Sequence, residues 1–196
     1  MENIDKIIKD SLLKSTDVIS KIANDETFQR LIKEVSKICV KSLEKGNKII
    51  LAGNGGSAAD AQHIAGELVS RFMFDRPGLP SIALTTDTSI LTAIGNDYGY
   101  EKIFSRQIQA NGNSGDIFFA YSTSGTSKNI IEALKEAKNK NIKTVGLTGM
   151  SKKSGDMSNY CNYLLRVPSS STPYIQEGHL VIGHLICALI EQEIFG

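Results

Sequence analysis

Apolar residues recur at helical spacing from the start of the chain. Ile4, Ile8, Leu12, Ile19 and Ile22 share one face over residues 4–23, with polar residues between them. Asn24-Asp25 interrupts the pattern. It resumes over about 26–45 through Phe28, Leu31, Ile32, Val35, Ile38, Cys39 and Leu43, and ends at Gly46-Asn47, a helix stop. Both helices precede the first strand signal, so they predict an N-terminal helical hairpin rather than part of a βαβ alternation. Such an appendage either supplies an oligomer interface or caps the sheet.

From Lys48 onward the period changes. Short apolar runs near 48–52, 81–85, 116–121, 143–148 and 163–167 predict strands. Helical patterns near 57–72, 88–95, 100–110, 127–140 and 174–194 fall between and after them. Apolar strands alternating with helices argue for a parallel sheet covered on both faces. Right-handed crossovers then carry the loops after Ala52 and Tyr121 to the carboxyl edge of the sheet, where open α/β folds bind ligands. No repeat, low-complexity tract or linker divides the chain, so one domain is expected over 1–196, with the hairpin at 1–46 and the α/β core at 47–196.

Those two loops carry the candidate chemistry. The first reads Gly53-Asn-Gly-Gly-Ser57 and the second Ser122-Thr-Ser-Gly-Thr-Ser127. Each follows an apolar run and opens a helical pattern. Free N–H groups at a helix start, with the positive end of the helix dipole, make an anion site. Ser122, Thr123, Ser124 and Ser127 add hydroxyl donors, so a phosphorylated small molecule is the expected ligand. The first loop is neither a G-x-G-x-x-G fingerprint nor a P-loop, since the third glycine and the Gly-Lys-Ser/Thr ending are both missing.

Charge is balanced, with 22 Lys+Arg against 21 Asp+Glu, which gives no electrostatic case for nucleic acid or an anionic membrane. No signal-peptide pattern and no transmembrane run of ~18 apolar residues is expected. Cys39, Cys161 and Cys187 lack CxxC spacing and suit buried free thiols in a reducing cytoplasm.

His63 and Glu67 form an i, i+4 pair behind the first loop, which suits a surface ion pair, a strand cap or a metal site. A second cluster, Gln176-Glu177-Gly-His179 with His184, lies in the last helix. Two histidines and a carboxylate make a workable divalent-metal set, with zinc favoured by the nitrogen ligands. Asp60 and Arg71 suit a helix surface charge and a strut, Arg106 a tie between helices, and Tyr98-Gly-Tyr100 a packed turn. Asp87 suits either a substrate contact or a helix cap.

Gly53-Asn-Gly-Gly-Ser57, Asp60-Ala-Gln-His63 and Glu67-Leu-Val-Ser-Arg71 together resemble the first motif of sugar isomerase (SIS) domains, and within them the phosphoheptose isomerases. The likeness continues through Leu84-Thr-Thr-Asp87, Gly95-Asn-Asp97, Phe104-Ser-Arg106, Ser122-Thr-Ser-Gly125 and Arg166-Val-Pro168 to Ile175-Gln-Glu177, His179 and His184, and so spans nearly the whole chain. It implies a SIS-type doubly wound (flavodoxin-like) α/β fold, a five-stranded parallel sheet with helices on both faces. It also implies an aldose–ketose isomerase that converts sedoheptulose 7-phosphate to D-glycero-D-manno-heptose 7-phosphate for bacterial lipopolysaccharide or capsule. By motif position Ser122, Thr123, Ser124 and Ser127 would hold the phosphate. Asn54, Gly55, Gly56, Ser57, Asn96 and Asp97 would line the sugar site, with Glu67 and Gln176 also touching substrate. His63, Glu67, Gln176 and His184 would ligate one Zn2+. Family members are homotetramers with sites formed between subunits, and no nucleic acid or membrane partner is implied.

Isomerisation through an enediol needs a base, an acid and a group that polarises oxygen. Glu67 is the candidate base and His184 the candidate acid, with zinc as Lewis acid. A zinc-bound carboxylate is a poorer base, which sets the two roles of Glu67 against each other. Gln176 and His184 also stand ~12 Å apart along one regular helix, so sharing a metal requires a late helix start or ligands from two subunits; the second is expected. Where many relatives carry an Asp and an Arg before Ile175-Gln176, this chain has Ser170-Ser171-Thr172-Pro173-Tyr174. The competing readings are a non-catalytic SIS protein that binds the replication initiator, a sugar-phosphate sensor and an isomerase of another phosphosugar.

Overall fold

The computed structural model describes residues 2–150 and 155–196. Five parallel strands, β1 (Ile49–Ala52), β2 (Ser81–Ala83), β3 (Ile117–Tyr121), β4 (Lys143–Gly149) and β5 (Tyr163–Val167), form one sheet in the order β2-β1-β3-β4-β5. β1 and β3 pair in register from Ile49↔Ile117 to Ala52↔Ala120, and these two central strands are buried throughout.

Alternate strand residues feed two separate cores, as the pleat requires. Ile49, Leu51, Ile117, Phe119, Tyr121, Val145 and Val167 pack under α2 (Glu26–Leu43), α3 (Gly56–Val69) and α8 (Thr172–Phe195). Ile50, Ala52, Phe118 and Ala120 face the opposite layer. That layer is built from α4 (Thr88–Tyr98), a 3-10 turn at Tyr100–Lys102, α5 (Ser105–Asn111), α6 (Lys128–Asn139) and α7 (Gly155–Ser158). At the amino edge of the sheet Asp116, fully buried, receives bonds from Lys48 N and Nζ and from Asn113 N, which pins β1 to β3.

The expected strands and helices are present, with four differences. The run expected as one helix over 100–110 divides into the 3-10 turn and α5, because consecutive Ile103 and Phe104 both turn into the second core. β2 stops at Ala83, although Leu84 N still bonds to Leu51 O. α7 was not expected, and α8 starts two residues early, with Pro173 in its first turn. Asp87 is a helix cap: its Oδ1 accepts from Ile90 N at 2.9 Å. The expectation that no segment is apolar enough to cross a membrane also needs correction. By length and composition α8 passes that test, with a mean hydropathy of 1.3, because it is a core helix whose buried face packs on the sheet.

α1 (Glu2–Ala23) touches the rest of the chain mainly through its C-terminal half, where Val18 and Ile22 are buried. Ile4, Ile7, Ile8, Leu12 and Leu13 are each more than half exposed.

Phe118 is fully buried on the central strand and fills the second core alone of its kind on β3. Phe118→Ala is expected to lower the unfolding free energy by about 3–5 kcal/mol in urea denaturation. A loss below about 1 kcal/mol would show that this core collapses freely around the missing ring.

Candidate active site

The carboxyl ends of β1 and β3 deliver the two polar loops side by side. In the first, Gly53 passes so close to the Ser57 carbonyl that a Cβ would collide with it, so the turn requires glycine. α3 then opens at Gly56 with no side-chain cap, while Ser57 N and Ala58 N turn back onto Asn54 O and Gly55 O of its own loop. The second loop turns at Gly125, where φ is +71°, and α6 likewise starts without a side-chain cap. Ser122 Oγ lies 2.9 Å from Ser127 Oγ and accepts from Gly125 N, while Ser124 Oγ accepts from Thr126 N and Oγ1. Three of the four hydroxyls expected to hold phosphate, those of Ser122, Ser124 and Ser127, are therefore tied into one turn.

A pair of amides joins the loops. Asn54 Nδ2 donates to Asn129 Oδ1 at 2.9 Å, and Asn129 Nδ2 donates back to Asn54 Oδ1 at 2.8 Å. Tyr100 OH donates to the same Asn54 oxygen at 2.9 Å. The sequence does not single out Asn129, and for Tyr100 it suggests only a packed turn. Asn129 sits one residue inside an ordinary helical pattern, and only its place beside the Ser/Thr turn could have drawn notice. A cavity of about 430 Å³ opens beside this junction, between Asn54, Gly55, Thr85, Gly95, Tyr100 and Phe104. Asn96 and Asp97 lie on the exposed last turn of α4, bonded to each other at 2.8 Å, next to the wall that Gly95 forms.

Two turns further along α3 the candidate metal residues converge. His63 Nε2 lies 3.0 Å from Glu67 Oε1 and 3.1 Å from His184 Nε2, and one ligand atom from each residue falls within 4.8 Å of the others. These two spacings are close to what zinc requires: two ligands ~2.05 Å from a tetrahedral ion stand ~3.3 Å apart. Phe72 stacks on the His184 ring at 5.4 Å. Gln176 stands two turns earlier in its helix than His184. It belongs to the same regular helix as His184, and its amide lies against Gly56 at the start of α3. The late helix start that would have let one chain supply both ligands is thereby removed.

Beneath these residues Asp60 faces the core, and burial pushes its carboxyl up to about 6 against the opposing pull of His63. Burial likewise lowers His179 to about 4, so this histidine, edge-on to Tyr121 at 5.7 Å, stays neutral at physiological pH. The thiols of Cys161 and Cys187 are pushed up to about 12 by burial, which makes them inert packing groups. Arg106 covers the Tyr98 ring at 4.3 Å and so ties α5 to the end of α4.

A SIS domain family model matches residues 12–149. The phosphoheptose isomerase of Aneurinibacillus thermoaerophilus is 62% identical over 188 residues, 96% of this chain and 94% of that protein. The phosphoheptose isomerase of Burkholderia pseudomallei (strain K96243) is 58% identical over 189 residues, 96% of this chain and 95% of that protein. The chain belongs to the phosphoheptose isomerases of the SIS-domain family. Among solved structures, a phosphoheptose isomerase from Francisella tularensis superposes with a TM-score of 0.91 at 39% identity, covering 98% of this chain and 100% of that one. Membership at this identity gives the convergence of His63, Glu67 and His184 a family context that i, i+4 spacing alone lacks.

The Asn54–Asn129 pair sets the distance between the loops. Asn129→Leu keeps the volume and removes both amide bonds. It is expected to cost about 1–3 kcal/mol and to speed hydrogen exchange of the 53–57 amides. Unchanged exchange there would mean that Tyr100 alone holds the first loop.

Proposed function

We propose that the chain is an aldose–ketose isomerase of heptose biosynthesis that converts sedoheptulose 7-phosphate to D-glycero-D-manno-heptose 7-phosphate. The observation that carries this reading is the meeting of two imidazoles and a carboxylate within 4.8 Å, His63 and Glu67 from the helix that starts at the first polar loop and His184 from α8. Ser122, Thr123, Ser124 and Ser127 hold the phosphate, and Asn54 with the backbone of Gly55, Gly56 and Ser57 orients the sugar. Glu67 removes the C1 proton of the ketose, and His184 exchanges a proton with the oxygen atoms as the enediol forms. Return of the proton to C2 gives the aldose. His63, Glu67 and His184 would hold Zn2+, which when bound supplies Lewis-acid polarisation of the carbonyl oxygen. A protein that only docks a replication initiator has no use for this set of groups.

The site is shared between copies in this proposal, and the assembly is a homotetramer in the cytoplasm. Three observations support sharing. Gln176 stands ~12 Å from His184 on one helix, so a fourth ligand of this type must come from another copy. Exposed Val69, Met73, Leu185 and Leu189 stand on the same stretches of chain as the cluster residues. The accessible surface, 10222 Å², exceeds by about a tenth the ~9100 Å² of a compact monomer of 21.3 kDa, and α1 displays an apolar stripe.

Turnover of sedoheptulose 7-phosphate by the purified protein, with zinc added or chelated, tests the chemistry. Glu67→Gln is expected to lower kcat by about 10²–10⁴-fold, the range of a lost general base. Absence of turnover under every metal condition would defeat the isomerase reading.

Sedimentation tests the assembly. A mass four times that of the 21.3 kDa chain is expected. Ile8→Asp with Leu12→Asp should dissociate it, whereas a single-chain mass for the unsubstituted protein would rule out a shared site.

A further inference from the structure

Behind the metal cluster lies a buried ion pair that the proposed chemistry does not use. Arg76 and Glu191 meet at 3.0 Å with side chains only 2% and 1% exposed. Such a pair is a weak source of stability, because desolvating both charges offsets most of their attraction. Its bonding is unusually directed. Glu191 Oε1 accepts from Phe72 N at 2.9 Å and from Arg76 Nε, and Oε2 accepts from Met73 N at 2.6 Å. One Arg76 Nη donates to Glu67 O at 2.8 Å, the other to Leu68 O, Ser70 O and Pro77 O.

Each of these bonds ends on a group that carries part of the cluster. Glu67 and Leu68 are in the last turn of α3, whose carbonyls have no helical partner, and the guanidinium caps them. Glu67 thus has its own backbone oxygen tied to Arg76. That end of a helix is also the negative pole of its dipole and disfavours a carboxylate, so a fixed cation there offsets the local field. Phe72, held by its N–H to Glu191, lays its ring on His184 with 28° between the planes. One ion pair therefore sets both the backbone that presents Glu67 and the surface that orients His184.

We infer that Arg76 and Glu191, acting through Phe72 and the α3 terminus, are positioning residues for the His63–Glu67–His184 cluster. The inference rests on the isomerase reading of that cluster. Supporting contacts of this kind change metal affinity or activity by about 10–100-fold when lost.

The test uses two variants of the full chain. Arg76→Lys keeps a cation beside Glu191 and loses the fork that reaches four carbonyls. Phe72→Leu keeps the backbone bond and apolar bulk and loses the flat face on His184. Co2+ titration of the metal-free protein, kcat and KM per folded molecule, and urea midpoints are measured for each. The expected result is Co2+ affinity and kcat both down about tenfold with KM within about twofold. Val35→Ala, a cavity in α2 away from the cluster, should lower stability and leave both values unchanged. Co2+ affinity and kcat within twofold of the parent in both variants would overturn the inference, whatever the loss of stability. If Arg76→Lys does not fold, Phe72→Leu decides alone. A parent protein that neither turns over substrate nor binds Co2+ overturns the isomerase reading and this inference with it.

Discussion

The in-register pairing of β1 with β3 is the constraint on which the site depends. Neighbouring parallel strands stand ~4.8 Å apart, so the chain ends leaving Ala52 and Tyr121 emerge together. After β1 the chain crosses to β2 on one side; after β3 it crosses to β4 on the other. α3 and α6 consequently lie on opposite faces of the sheet, and their uncapped N-termini open on the crevice between them. Two helix dipoles converge there, an arrangement that favours negative charge. The reciprocal amides of Asn54 and Asn129 close the junction and satisfy the buried Asn129 side chain, which would otherwise be costly.

Much of this was legible in the residues. The apolar runs Ile49–Ala52 and Ile117–Tyr121, too short and too uniform for helices, reported buried central strands, and the Gly/Ser turns marked the carboxyl edge. His63 and Glu67 were visible as a pair because an i, i+4 spacing is a local property. What escaped notice depends on tertiary approach. Asn129 is bonded across 75 residues, and Glu191 and Arg76 are separated by 115. A lone glutamate near the end of an apolar helix shows nothing of its partner. The break at Tyr100–Lys102 escaped for a related reason: 100–110 has an acceptable helical period, and only the shape of the second core selects a tighter turn.

α3 gathers opposite electrostatic roles at its two ends, and this polarity explains how the parts are arranged. Its positive end opens on the crevice between the two polar loops, where the dipole favours negative charge. Its negative end carries Glu67, a carboxylate where the field is least favourable. Such a group is tolerated when cations stand near it. Arg76 supplies a permanent one from behind, and the imidazoles with their metal would supply another in front. The crevice end and the His63–Glu67 pair thus share one rigid helix, with the separation between them fixed at ~10 Å by the seven residues from Gly56 to His63. A flexible loop could hold either group but could not keep that distance constant.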